Sequence, residues 1–474
     1  MIYRMSRLTD TVLTDRHMEI LEYAFHYYEK NKVGPLFENF KKAKGVNKED
    51  LEALFPHGLT SVYTWVGIPI HTTNSLCKPM ATVKVENYRE VYLDHNATTY
   101  VREEVKKSLS KYYGGAYGFG NPSSSYNLGK TAYDLIRKAR EQIAKCIHVG
   151  LEEIIFVGCG SEANNTALKG IAFQHLKKKG HLVSTEVEHP SVLKTLKYLE
   201  ELGFAVTYLN VERDGRVLPE KVKESLREDT LLVSVMAVNN EIGTINPIAE
   251  IGEICRAAKV PFMVDAIQGF GKMKLRPKEM GISLMSISGH KIYAPKGVGA
   301  LFINEDTDIV PLLHGGGQEF GLRAGTEAVG SIHAFGHAAQ LIHSEMEKEN
   351  RRLSGLRNYF LEGLKKIEPG ILINGSMEHR TAGNLNVGFP DIDSGSLLLS
   401  LNQIGVSISS GSACSAGSRE ASATIKALGV DTDRHGIVRF SLGLKNTKED
   451  LDYVLEYLPP ILEQLKAEAK KTAS

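Results

Sequence analysis

Apolar positions near the start of the chain recur at helical spacing. Thr14 or Asp15 can cap a helix that carries Met18, Leu21, Phe25 and Tyr28 on one face. Pro35 can open a second helix with Leu36, Phe37 and Phe40, ended by Gly45. Asn47, followed by Glu49 and Asp50, reads as the cap and acidic first turn of a third. After Gly67-Ile68-Pro69 comes a weakly patterned tail with Cys77. From Val91 the pattern changes. Short apolar, β-rich runs occur at 154–157, 182–184, 206–209, 231–235, 262–264 and 284–287, with helical segments between most of them. That alternation predicts an α/β fold with a mainly parallel sheet covered by helices. A long amphipathic stretch, about 329–367, leads out of it. Strands near 371–373, 384–387 and 438–441 and helices near 394–403 and 448–466 then predict a smaller α+β unit. The expected organisation is a helical module over 1–86, a large α/β domain over 87–345 whose first few residues can join the small one, and a small domain over 346–474. No internal repeat or low-complexity tract interrupts it.

A chain of 474 residues is too long for one ordinary core, which fits this division. The 57 basic and 56 acidic side chains leave a formal net charge of +1, so no nucleic-acid or anionic-membrane partner is expected. Three short helices can form a helix-turn-helix, but the first module has no strong basic stripe, and DNA binding is the weaker reading. Met1 to Asp15 has no apolar secretion-signal core, and the longest apolar runs, such as Leu231 to Val238, are about eight residues, far below a membrane span. The five cysteines, Cys77, Cys146, Cys159, Cys255 and Cys414, are odd in number, far apart and without a CxxC pair. Free thiols in a reducing cytoplasm are therefore expected, with no disulfide scaffold and no metal site.

The chemistry gathers at predicted strand ends. The apolar run Ile282 to Ile287 stops at Ser288-Gly289, and Lys291 stands just beyond. Val264-Asp265-Ala266-Ile267-Gln268 is another short strand ending in a carboxylate. Catalytic groups in α/β sheets collect at the carboxyl ends of strands. A lysine on one end and an aspartate on another fit pyridoxal phosphate: the lysine anchors it covalently, and the aspartate keeps a proton on the ring nitrogen. A surface lysine and an unrelated aspartate are the plain alternative, and spacing alone leaves the two readings level. The turn Gly158-Cys159-Gly160-Ser161-Glu162-Ala163-Asn164 opens a helix after the strand at 154–157, and its small residues and amides suit a phosphate, although such a turn is commonly only a turn. Glu188-His189-Pro190-Ser191 follows another strand, where a histidine can stack on a pyridine ring or move protons; a satisfied loop histidine is the commoner outcome for His189 by itself. Asn239-Asn240-Glu241 can hydrogen-bond the ring oxygen or simply make a turn. Ser409 to Gly417 is a loop of small residues holding Cys414, a setting that exposes a thiol as a travelling nucleophile needs. Cys146 and Cys255 lie on helical patterns among apolar residues and read as core, and Cys159 reads as a small filler of the phosphate turn.

Seven segments carry a wider resemblance: Tyr92 to Thr99, Gly120 to Ser124, Asn239 to Gly243, Ser288 to Lys291, Gly315 to Glu319, Arg323 to Thr326 and Ser410 to Cys414. Together, over about 91–465, they resemble the cysteine desulfurases of the NifS/IscS type, enzymes of the class-V, fold type I aminotransferase group. The resemblance implies a fold type I enzyme, a homodimer, with pyridoxal 5'-phosphate on Lys291 and Asp265 paired to its ring nitrogen. His189 would stack on the ring and act in acid–base steps, and Gln268 and Asn240 would bond the ring-oxygen region. Gly160, Ser161, Ser288 and His290 would hold the phosphate, with Thr326 reaching it from the other subunit. Arg439 and Asn121 would clamp the carboxylate of L-cysteine. Cys414 would take the sulfur as a persulfide, release alanine and pass the sulfur to an acceptor protein, such as an iron–sulfur scaffold or a sulfurtransferase. The long cysteine loop is similar to that of the first class of these enzymes. Ser161 stands where threonine is common, and Ala324 where serine is common.

The first module lies outside that family pattern. Leu13 to His17, Tyr27-Tyr28, Leu54 to Gly58, Val66 to Pro69 and Cys77 resemble the C-terminal part of sulfur-relay proteins of the DsrC/TusE type. This implies a sulfur-carrying arm at Cys77, here a few residues longer. Tyr63 stands about where a second cysteine can occur, so disulfide chemistry within the module is not expected. A helical docking domain with an inert Cys77 is the alternative. For the whole chain, the alternatives are a selenocysteine lyase-like enzyme, against which the cysteine loop argues, and a catalytically silent scaffold, against which the full set Lys291, Asp265, His189, Arg439 and Cys414 argues.

Overall fold

The computed structural model describes residues 11–31, 35, 37–55, 58–66, 81, 83–116, 119–410 and 422–473. The N-terminal module has α1 (Asp15–Asn31), α2 (Phe37–Lys44), α3 (Lys48–Leu54) and α4 (Leu59–Val66), around a core that includes Phe40, Phe55, Tyr63 and Trp65. Asn47 caps α3 as expected: its Oδ1 accepts from Asp50 N at 2.9 Å, and Asp50 Oδ2 accepts from Asn47 N at 2.9 Å. Two expectations are corrected. Of the expected stripe of α1, Leu21 is buried and Met18 and Tyr28 pack against the core, but Phe25 is 41% exposed and Ile20 and Ala24 are buried instead, a face set by packing on the other helices. The fourth helix, α4, is unexpected because its Thr and Val residues favour a helix poorly. Burial of Val62, Tyr63 and Trp65 decides it.

The larger part begins with β1 (Val91–Tyr92), α5 (Glu103–Lys111) and α6 (Asn127–Ile147). Its sheet holds β2 (Ile154–Val157), β3 (His181–Thr185), β4 (Ala205–Leu209), β5 (Thr230–Ser234), β6 (Phe262–Asp265), β7 (Leu284–Ser288) and β8 (Gly299–Ile303), in the order β2-β8-β7-β6-β5-β3-β4. From β7 to β4 every pairing is parallel, as the alternation predicted. β8 is the unanticipated member. It inserts between β2 and β7 and is antiparallel to both. Gly299 lets it lie close: a Cβ there would sit 2.9 Å from the Cys159 carbonyl carbon. β2, β3, β6, β7 and β8 are buried at every residue, the mark of a sheet covered on both faces. The covering helices include α7 (Gly160–Gln174), α8 (Pro190–Glu201), α9 (Pro219–Ser225) and α10 (Ile248–Ala258).

The helix α11 (Val329–Ile367) joins two cores: Phe335 and Ile342 pack with the sheet, Phe360 and Leu364 with the C-terminal residues. The second core surrounds an antiparallel sheet in which β10 (Asn384–Pro390) lies between β9 (Leu372–Ile373) and β12 (His435–Ser441). Around it are α12 (Ser394–Gln403), β11 (Val406–Ser407), α13 (Ala423–Ala427) and α14 (Lys448–Ala473). β1 pairs in parallel with β11, and Ala81, Val91 and Leu93 join this second core.

Candidate active site

Three strand ends converge. β6 ends in Asp265, which is buried. Its Oδ2 accepts from Asn164 Nδ2 at 2.8 Å, and its Oδ1 from Ile267 N at 3.0 Å. β7 ends in Ser288, and the short turn Gly289–Lys291 carries His290 and Lys291. Lys291 Nζ donates to the carbonyls of Asn96 and Ala97, both at 2.6 Å. Beyond β3, His189 caps α8, its Nδ1 accepting from Ser191 N at 3.1 Å. Nδ1 is thus an acceptor, so it also takes the Ser191 hydroxyl proton at 2.7 Å, and the ring proton sits on Nε2. Burial holds His189 below the usual imidazole range; the Asp265 carboxylate opposes this and the Lys291 ammonium adds to it.

Asn164 links these groups, and its role was not legible beforehand. Its Nδ2 donates to Asp265 and, at 2.9 Å, to Ser191 Oγ. His189, Ser191, Asn164 and Asp265 therefore form one hydrogen-bonded chain. The only signal for it in the sequence is the position of Asn164 one turn into α7, on the glycine-rich turn already singled out.

At that turn Cys159 is exposed and caps α7, its Sγ accepting from Glu162 N at 3.4 Å. A Cβ on Gly160 would lie 2.3 Å from Ile267 Cδ1 and 3.4 Å from Ser288 Cβ, so glycine lets Ile267 pack against this turn. Ser288 Oγ is buried there without a hydrogen-bond partner. Ser161 is exposed in the first turn of α7, and His290 is half-buried with Nδ1 3.1 Å from Thr98 Oγ1. Burial pushes His290 down to about 4, so it is neutral. Helix amides, an orphaned hydroxyl, a buried carboxylate and an amine at the neighbouring strand end together fit pyridoxal phosphate. Thr326 is exposed.

Arg439 reaches the same place from β12. It is 1% exposed; Nη1 donates to Asn240 O at 2.8 Å, Nη2 to Asp94 Oδ1 at 2.6 Å, and Nε has no partner. Asn240 thus contributes its carbonyl here. Gln268 Nε2 donates to Asn96 O at 2.8 Å. Asn121 is exposed, with Oδ1 accepting from Ser123 N at 2.9 Å, so its amide is engaged in its own turn. Cys414 and Cys77 lie outside the described residues. The segment around Cys414 is nevertheless bracketed: Ser409 and Arg439 exchange backbone hydrogen bonds, and Ser422 bonds the Glu241 carboxyl next to Asn240. Cys146 and Cys255 are buried, as their helical settings implied, and burial pushes both thiols up to about 12.

Among the described residues no cluster of His, Cys, Asp and Glu could hold a metal ion, and no helix is long and apolar enough to cross a membrane. The class-V aminotransferase family matches residues 91–454. A cysteine desulfurase IscS of Dictyoglomus turgidum is 45% identical over 379 residues, 80% of this chain and 96% of that protein. A solved NifS-like protein superposes with a TM-score of 0.74 at 35% identity, over 79% of this chain and all of the other. SspA, solved in complex with cysteine, gives a TM-score of 0.67 at 35% identity, over 74% of this chain and 98% of the other. The chain belongs to the class-V aminotransferase family, in its cysteine desulfurase branch.

Proposed function

We propose that this chain is a cysteine desulfurase that takes sulfur from L-cysteine, leaves L-alanine and carries the sulfur as a persulfide on Cys414. The observation that carries the reading is the convergence of Lys291, Asp265 and His189, beyond the ends of β7, β6 and β3, with Arg439 of β12, in a chain of this family. Pyridoxal phosphate, when bound, supplies the electron sink. Lys291 would anchor it, and Asp265 would hold a proton on its ring nitrogen. Gln268 and Asn240 would orient its ring-oxygen side. Gly160, Ser161, Ser288 and His290 would hold its phosphate, with Thr326 given by a second copy in a homodimer. The exposure of Thr326 supports that last assignment.

His189 keeps its proton on Nε2, opposite the nitrogen that Ser191 occupies, so Nε2 is the atom that gives and takes protons. Arg439 is held on one side by Asp94 and Asn240 and its buried Nε has no partner; its guanidinium would bind the substrate carboxylate, with Asn121 as the second donor. Cys414 Sγ, as the thiolate, forms a bond to the substrate sulfur; the carbon side keeps the C–S electron pair and takes a proton to become alanine. The organisation would be 1–86 as helical module, 87–345 as cofactor domain and 346–474 as small domain. We further place the protein in the cytoplasm, handing sulfur to a protein acceptor such as an iron–sulfur scaffold. Cys77 would be a first relay, since tethering raises a thiol to about millimolar effective concentration.

The test is mass mapping after sulfur-labelled L-cysteine is added to the pyridoxal phosphate-loaded protein. Label should appear on Cys414 with matching alanine, and Cys414→Ser should keep the visible cofactor band while losing the persulfide. Label on Cys77 that disappears in Cys414→Ser supports the relay; label on Cys414 alone makes the module a docking domain. Normal persulfide transfer by Cys414→Ser overturns the assignment of the carrier.

A further inference from the structure

The seven-stranded sheet ends in β2, and two charged side chains close that edge. Arg140 of α6 donates from Nη1 to Ile154 O, and Glu319 Oε2 accepts from Phe156 N at 2.7 Å. The two also grip each other as a fork, Nη1 to Oε2 at 2.8 Å and Nη2 to Oε1 at 2.9 Å, and both are buried. The guanidinium lies 4.9 Å from the ring centres of Phe156 and Phe320. Glu319, Phe320 and Gly321 have φ of 47°, 59° and 80°. A glutamate and a phenylalanine keep such a left-handed run only where the surroundings hold it. Gly325 N then donates to Gln318 Oε1 at 3.1 Å and closes the segment into a loop. Thr326 follows directly and is exposed.

A second tie holds the far end of this segment. Arg323 Nε donates to Glu162 Oε1 at 2.9 Å, and the two side chains are 24% and 18% exposed. Glu162 stands in the first turn of α7, and its other oxygen, Oε2, accepts from Gly158 N at 2.8 Å. One carboxylate therefore bonds both the glycine-rich turn that opens α7 and the segment that carries Thr326. Glu319 fixes this segment to the sheet edge. Arg323, three residues before Thr326, fixes where its end stands against α7.

We propose that Arg323 is a positioning residue for cofactor binding across a dimer: its bridge to Glu162 steadies the segment that presents Thr326 to the phosphate of a second copy. Each phosphate turn thereby holds the segment that completes the other copy's site. This rests on Thr326 being given by a second copy, as in the reading above.

The experiment titrates pyridoxal phosphate into full-length apo-dimers made of two differently tagged chains. One chain carries Lys291→Ala, so the visible band reports only the site of its companion. With Arg323→Met on the Lys291→Ala chain, the reporting site should bind pyridoxal phosphate about tenfold more weakly than in the Lys291→Ala/wild-type dimer. With Arg323→Met on the reporting chain instead, affinity should stay at that reference value. A purely structural role would not produce this asymmetry. Should Arg323→Met not fold, Arg323→Gln takes its place with the same expected pair of results. Equal weakening in both arrangements, weakening only when the reporting chain is changed, or no weakening in either overturns the proposal. Failure of the underlying reading looks different: Thr326→Val on the Lys291→Ala chain would then leave the reporting site at the reference affinity.

Discussion

The sheet's carboxyl edge and the N-terminal module handle their buried polar groups in opposite ways. Around the sheet edge, Ser288 Oγ, Asn164 Oδ1, Glu188 Oε2 and Arg439 Nε are buried without partners. Among the described residues of 11–66, no buried polar side-chain atom is left in that state. His17 shows how completely the module satisfies itself: Nδ1 accepts from Thr14 N at 3.2 Å, so Nε2 carries the proton and donates to Leu54 O at 2.8 Å. Tyr63 likewise gives its hydroxyl to Pro35 O. An unmade hydrogen bond in a dry site costs stability, and a fold retains several together where a ligand completes them.

The sharpest break of this contrast is Lys291→Ala. Removing the anchoring amine should end covalent cofactor attachment and lower alanine release roughly 10³-fold or more, because the lysine serves as nucleophile and proton carrier. Alanine release at the wild-type rate would sink the site. The module should respond to a different kind of damage. Trp65 is 1% exposed and packs edge-on against Phe55 at 5.3 Å. Trp65→Ala should cost about 3–5 kcal/mol of the module's stability. Because the module has its own core, the cofactor band and alanine release should persist. Loss of both would show the two regions to be one cooperative unit.

What was legible follows from the same contrast. The places of Lys291, Asp265 and His189 could be read because a strand end is a one-dimensional signal: an apolar run, then a polar residue. The strand β8 escaped notice because its direction is decided by β2 and β7 on either side, a non-local fact. The Asn164–Ser191 link and the Arg323–Glu162 contact escaped because they join separate turns only after the sheet assembles. In α1, periodicity gave the helix but chose Phe25 over Ala24 for the buried face. A stripe fixes its own width, while the partner helices fix which edge is covered.

A smaller effect should come from Ser288→Ala. The hydroxyl is buried and unpartnered, close to Gly160 at the first turn of α7. If it is held for the phosphate, its loss should weaken pyridoxal phosphate binding roughly tenfold. The apo-protein should be no less stable, since no existing bond is removed. Unchanged affinity in a titration of the apo-variant would remove Ser288 from the phosphate site.

The smallest expected effect tests whether the sheet edge carries an uncharged acid. Glu188 Oε1 accepts from Met236 N at 2.8 Å and Thr185 Oγ1 at 2.9 Å, while Oε2 has no partner. Burial pushes its carboxyl from the ordinary 4.5 up to about 8, with Asp265 adding to the shift and the two donors opposing it. The folded protein therefore holds a proton that the unfolded chain gives up above about pH 4.5. Between that value and about 8 the unfolded state binds fewer protons, so this group lowers stability as pH rises. Glu188→Gln keeps an acceptor for both donors and does not titrate. The melting temperature of the variant relative to wild type should accordingly climb by a few degrees from about pH 5 to about pH 8.5. The transition of the N-terminal module should show the same pH dependence in both proteins, because Glu188 is no part of its core. Parallel stability curves over that range would mean that Glu188 is ionised in the fold, and the sheet edge would then hold one more unpaired charge instead of a neutral acid.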